Sequence, residues 1–357
     1  MKRKEFLKLL AGVVGGIALP RVLADIAYAA DSGAGRGLAL DESFLVKGLN
    51  ALARAHQMSA MAGHLGAAVL AGYFVEKQRP GLDPDVCNGI KADLERVMGG
   101  ESLFGSKMAK SARITDSELF ADFPKERSNE GLIDGIAEAL EKNIKAPRES
   151  GHNVIFAALA MRALKARPDL ATPSIVDGIR KLISLFDDAD AGKGYYGKAK
   201  GWVAGRDATL PEADDGQPQY TDEHGMVQAV LAEIIKQDPE VRRRGFGGLI
   251  HVNNHAAAIT DLARSGYPEL AAAGIASHHQ HLRLWRSLPN VAGEFGAEPS
   301  SAFSPYTAAY WTSGQVPYDR ALLTHRVKTM CGFDALLEAF DDEQVEAQAC
   351  DKLRYLM

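Results

Sequence analysis

Gly247-Gly248-Leu249-Ile250-His251-Val252-Asn253-Asn254-His255-Ala256-Ala257-Ala258-Ile259 opens a stretch that runs to Asn290 and holds half of the chain's ten histidines. Its alanine-rich, non-alternating pattern, broken at Gly266-Tyr267-Pro268, reads as two consecutive helices. His251 and His255 are spaced i, i+4, and His278 and His281 i, i+3, so each pair shares a helix face. Neutral imidazole is the commonest protein metal ligand, which makes this spacing that of a candidate metal site.

The same helical pattern extends in both directions. Asp41-Glu42-Ser43 caps a helix to about Leu52, which restarts through Met61 to Gln78 and stops at Pro80-Gly81. Asp83-Pro84 opens the next, with Val86, Ile90, Leu94 and Val97 on the 3.6-residue period, and Gly99-Gly100 ends it. Further helices are expected over 129–145, 152–166, from Thr172-Pro173 with the threonine as cap, 222–237, 318–340 and 342–356. About twelve helices and no convincing strand predict an all-α protein, a multi-helix bundle or an α/α toroid-like array. Residues 41–357 read as one helical domain. A sub-boundary or functional lid is expected in the loop 187–219, which is rich in Gly, Asp and Pro and carries Tyr195, Tyr196 and Trp202.

Residues 1–29 stand apart. Lys2-Arg3-Lys4-Glu5-Phe6-Leu7-Lys8 is a basic segment followed by an apolar run, and Ala27-Tyr28-Ala29 is a cleavage-type sequence, so an export signal is expected with a short linker at 30–40. The Arg-Lys-x-Phe-Leu-Lys order resembles a twin-arginine signal with Lys4 in place of the second arginine, leaving the general secretory route open. The expected partners are an export translocon, engaged through this segment, and a small-molecule substrate. The expected location is periplasmic or cell-envelope, with no stable membrane span expected in the mature form, because the apolar run is shorter than the ~20 residues a bilayer needs. Removing residues 1–29 takes away five positive and two negative charges and moves the net charge from -5 to -8. An acidic chain is a poor candidate for nucleic acid. Three cysteines without a CxxC pair indicate neither a disulfide framework nor a thiolate zinc site.

Histidines recur at the starts of the expected helices. His64, His152, His224 and His255 each precede an apolar stripe and are expected to point inward from a first turn, where the helix dipole favours the neutral, metal-binding imidazole. If those ends pack together, the four rings converge on one ion. A histidine on an apolar face is also commonly a core residue bonded to a carbonyl. His251 is a second-tier ligand, and His278, His281 and His325 are secondary candidates. Tyr195, Tyr196, Trp202, Tyr310 and Trp311 are expected to line or cover an aromatic substrate pocket. The chain has no Gly-x-Ser-x-Gly elbow, no P-loop and no dinucleotide fingerprint.

His251-Val252-Asn253-Asn254-His255 with the alanine-rich helix after it, Leu262 to Tyr267, and Thr324-His325-Arg326-Val327-Lys328 together resemble motifs of the questin oxidase-like proteins. Those are all-helical oxygenases acting on anthraquinones and related aromatic polyketides. Some look like non-haem iron enzymes with several histidine ligands and a carboxylated lysine. The resemblance implies a metal ligand at His255 and a second-tier, carboxylatable lysine at Lys328. The function expected is an exported metal-dependent oxidoreductase of the non-haem iron oxygenase type, with one divalent transition metal, iron first, zinc or copper also open. The alternatives are a non-catalytic envelope protein that binds a ligand or partner, and a metal-free helical-toroid lyase or hydrolase using a histidine with Tyr195 or Tyr196.

Overall fold

Four helices whose buried runs leave almost no exposed face form the centre of the computed structural model, which describes residues 39–105, 112–210, 219–313 and 321–357. In chain order the helices of eight residues or more are α1 (Glu42–Ala55), α2 (Gly63–Gln78), α3 (Pro84–Met98), α4 (Asp134–Glu141), α5 (His152–Ala166), α6 (Pro173–Ser184), α7 (Glu223–Ile235), α8 (Gly248–Arg264), α9 (Pro268–Arg286), α10 (Leu322–Glu338) and α11 (Glu343–Lys352). Burial is continuous from Gly63 to Val75 in α2, His152 to Met161 in α5, His251 to Leu262 in α8 and Leu323 to Leu336 in α10. A helix apolar around its whole circumference belongs inside a bundle. Accordingly α2 packs on α1, α5 and α10, while α8 packs on α5, α9 and α10, and amphipathic helices such as α6 and α3 cover the outside.

The protein is all-α, 62% helical. The helix starts are set by local chemistry: Asp41, Asp83, Asp222 and Asp342 each accept a backbone N–H of the following turn. Thr172 departs from expectation. It precedes Pro173 but makes no side-chain cap, and its buried Oγ1 has no hydrogen-bond partner among the described residues.

The expected lid contains the one sheet found among the described residues, where no strand is expected. β1 (Lys193–Tyr195) pairs antiparallel with β2 (Trp202–Ala204), Gly194 opposite Val203. The segment that leads into β1 straps two loops together. Glu149 N–H donates to Asp190 O (2.6 Å) and Ser150 N–H to Ala191 O (3.2 Å); Phe246 N–H donates to Lys193 O and Tyr195 N–H to Arg244 O, both at 2.8 Å.

Residues from Ala39 onward form one compact unit. The expected export signal and most of the linker lie outside the described residues. Among the described residues no helix is long and apolar enough to cross a membrane.

Candidate metal centre

The loops held by that strap have unusual backbones. Glu149, Ser150 and Gly151 all have positive φ (44°, 63° and 84°), as do Gly245, Phe246, Gly247 and Gly248 (131°, 48°, 72° and 69°). Left-handed conformations cost about 1–3 kcal/mol at a residue with a side chain, and they persist where surrounding contacts over-determine them. Here they end directly at the first turns of α5 and α8, which carry His152 and His251. The left-handed path brings Glu149 O against Nδ1 of His152, and Gly247 O to 2.6 Å from Nδ1 of His251. In α10, Ala321 O lies 2.8 Å from Nδ1 of His325.

A carbonyl can only accept, so each of these three Nδ1 atoms carries the ring proton. Burial pushes all three imidazoles below their ordinary pKa, His251 to about 3, and keeps them neutral. Each Nε2 is therefore a bare lone pair. Yet Nε2 of His251 lies 3.1 Å from Nε2 of His152 and 3.2 Å from Nε2 of His325, with no proton left to share in either contact.

His64, from the first turn of α2, completes the group. The rings form a closed circuit, with centroid separations of 4.5 Å (His64–His152), 4.7 Å (His152–His251), 4.8 Å (His251–His325) and 4.7 Å (His325–His64). One nitrogen from each of the four buried rings lies within 4.8 Å of the others. Nitrogens bound at ~2.1 Å to one ion stand about 3 Å apart when adjacent and about 4.2 Å when opposite, so small inward movements bring all four to ligand distance. His64 differs from the others because its Nδ1 faces Nζ of Lys328, one turn along α10 from His325. Burial drives the Lys328 amine well below the ordinary lysine range, and it also keeps His64 neutral.

The convergence expected from first-turn histidines therefore exists, with two of its four members replaced. His64 and His152 are in the group, together with His251, His325 and the neighbouring Lys328. His224 is not: it is exposed and stacks on Phe340 at 5.1 Å. Residues 226, 227, 229, 230 and 231 of α7 are buried around much of its circumference, so the apolar positions do not fix where the first turn points. His255 lies one turn deeper, because α8 starts at Gly248 and the first-turn histidine is His251.

His255 belongs to a second, hydrogen-bonded trio. His281 Nε2–H donates to Phe246 O (2.9 Å), its Nδ1 accepts from His255 Nδ1–H (3.2 Å), and His278 lies between Val252 O (3.0 Å) and the Tyr220 hydroxyl (2.6 Å). One proton per ring accounts for every contact in the trio, leaving only His255 Nε2 without a partner among the described residues. This set supports the loop above it rather than offering convergent lone pairs. A Cβ on Gly151 would lie 2.7 Å from the His255 ring.

The quartet is reached through a cleft of about 540 Å³ whose lining also includes Met61, Phe104, Trp202 and the run Arg242-Arg243-Arg244. Phe104 covers His64 at 3.9 Å between centroids. Of the expected aromatic pocket only Trp202 lines this cleft. Tyr195 hydrogen-bonds Glu294, Tyr196 bonds Ser287, and Tyr310 and Trp311 are buried over Arg326, which forms a buried ion pair with Asp93. Neither tyrosine needed by a histidine–tyrosine lyase is in the cleft lining.

Fold and site together define an all-α protein with a buried four-histidine group compatible with a metal site. Comparison with protein-family models, with curated proteins and with solved structures finds no match to this chain.

Proposed function

We propose that His64, His152, His251 and His325 hold one divalent transition metal, iron first, and that the protein is an oxidoreductase of the non-haem oxygenase type. Its substrate is a small, aromatic organic molecule taken into the cleft. The observation that carries this is the meeting of unprotonated Nε2 atoms at 3.1 and 3.2 Å. Two lone pairs in contact without a proton repel, and a cation between them converts that repulsion into ligation. The donor set of neutral imidazoles suits iron, zinc or copper. When bound, iron supplies the one-electron chemistry that activates oxygen. The chain's own work is to orient and to exclude water. Three backbone carbonyls hold three rings in one tautomer, and Phe104, Phe156 and Phe186 pack against the quartet.

Lys328 has a further part in this proposal. A buried neutral amine can add to carbon dioxide with loss of one N–H proton, giving a carbamate whose oxygen would be the anionic ligand that four histidines lack. The resemblance of Thr324–Lys328 to the questin oxidase-like motif supports that assignment, and so does the position of Nζ against His64. Residues 1–29 would direct export, with cleavage after Ala29 releasing the mature chain to the periplasm or envelope. N-terminal sequencing of protein from the cell envelope tests this.

Metal analysis is the direct test of the centre. About one equivalent of iron is expected after expression in metal-replete medium, and less than about 0.2 equivalents of any transition metal would sink the proposal. His251→Ala should remove the metal while leaving the helical circular dichroism intact. Bicarbonate should tighten metal binding by the wild type and not by Lys328→Met; equal metal affinity in both proteins, with and without bicarbonate, would remove Lys328 from the ligand set.

A further inference from the structure

The wall of the cleft carries more positive charge than its neighbours neutralise. Four cations, Lys193, Arg242, Arg243 and Arg244, face two carboxylates, Glu149 and Glu298, on a chain whose net charge is -5. Arg242 is occupied: its Nε lies 3.7 Å from Glu298, and its Nη1 donates to backbone carbonyls of residues 295–297. Burial and Asp190 push the Glu149 carboxyl up, and Lys193 is the cation that opposes them. Arg243 and Arg244 are different. Arg243 is half-buried, donates Nε–H to Leu288 O at 3.2 Å and lies over the Trp285 ring, while Arg244 stacks on Phe295 at 4.3 Å. Neither forms an ion pair within 4.0 Å among the described residues; Glu233 acts on Arg243 and Glu298 on Arg244 only at longer range. Both precede, without interruption, the left-handed run that sets His251, so the two cations and a proposed ligand belong to one continuous segment.

We infer that the substrate of this centre is an organic carboxylate, its charged end held by Arg243 and Arg244 and its body directed toward the histidine quartet. A guanidinium presents paired N–H donors that match a carboxylate's two oxygens. Burial pushes Arg243 below its ordinary value, so its charge gains from an arriving anion. A positive cleft in an acidic protein also focuses the field that draws an anion inward. The inference rests on this cleft being the entrance to the proposed metal centre, and the test separates the two.

The probes are 2-naphthoate and its neutral isostere 2-naphthamide, titrated calorimetrically into the purified protein with the metal removed and, separately, loaded with iron(II). Naphthoate should bind the metal-free protein at least ~10-fold more tightly than the amide, a difference of about 1.4 kcal/mol. The preference should shrink as salt is raised about tenfold, because partly exposed charges are screened. Arg244→Glu should abolish it. Arg243→Gln should reduce it several-fold, and Lys181→Glu, an exposed change on α6 outside the cleft lining, should leave it intact. Metal content, measured on the same samples, should match wild type in the Arg244 variant. Equal or absent binding of the two probes, or undiminished preference in Arg244→Glu, overturns the inference. A retained preference in a protein that takes up no metal upholds it while sinking the metal proposal.

Discussion

His251 and His255 differ by one helical turn, and that turn separates a candidate ligand from a support. His251 Nδ1 is held by Gly247 O, which leaves Nε2 facing two other imidazoles; His255 gives its Nδ1 proton to His281. His251→Ala should therefore abolish metal uptake. His255→Ala should leave metal content near wild type and cost about 1 to 3 kcal/mol of stability for the lost buried hydrogen bond. Metal analysis and urea unfolding of the two variants, side by side, check the contrast; loss of metal in both would place His255 in the centre. Sequence spacing could not separate these residues. An i, i+4 pair shares a face, but its members lie about 6 Å apart along the axis, and which one reaches the centre depends on where α8 begins. The quartet's fourth ring, His325, lay in the quoted Thr324–Lys328 motif, where it and Lys328 share a face at i, i+3. Its weight was hidden because its partners come from helices far apart in sequence.

At the scale of elements, the helices were legible and the loops were not. Asp-capped starts and Gly or Pro stops delimit α3, α7 and the α8–α9 break closely, because capping is local chemistry. The strap at 190–195 and the left-handed runs at 149–151 and 245–248 depend on pairings across 40 or more residues, such as Glu149 N–H to Asp190 O, and no local pattern encodes them. Gly247 shows what these loops demand. Its φ is 72°, and a Cβ there would lie 2.3 Å from the His251 ring. Gly247→Ala should cost at least ~1–2 kcal/mol in backbone strain and also displace the imidazole from its carbonyl. Metal affinity should fall at least ~10-fold with helical content preserved, as measured by competition with a chelator. Wild-type metal affinity in this variant would show that the loop does not set the ring.

For the whole molecule, the number of neutral histidines in the interior dictates how it meets acid. His278 is pushed down to about 3 and His281 to about 4, both chiefly by burial. An unfolded histidine titrates near 6.5, so below that pH the unfolded chain binds protons that the folded one refuses, and stability falls as pH falls. Between pH 6.5 and 4 each of the two should lose about 3 kcal/mol, at about 1.4 kcal/mol per unit. Asp334 works the other way. Its carboxyl is pushed up to about 6 by burial, so the folded state gains from protonating it as pH drops from 6 toward 3.8, by a similar ~3 kcal/mol. Burial raises Asp93, Glu149 and Glu298 too, so four carboxyls stand against seven lowered histidines once His64, His152, His251, His255 and His325 are added to His278 and His281. The histidines should win. Relative to the 5–15 kcal/mol typical of a domain, the loss is large enough to unfold the metal-free protein. Its urea midpoint should already decline between about pH 8.5 and 6.5, where the unfolded chain protonates the amine that burial keeps neutral at Lys328, and fall more steeply from 6.5, with cooperative acid unfolding before pH 4. A midpoint that holds or rises down to pH 4.5 would mean that these rings are solvated and charged in the folded state, which is incompatible with the lone pairs the metal centre requires.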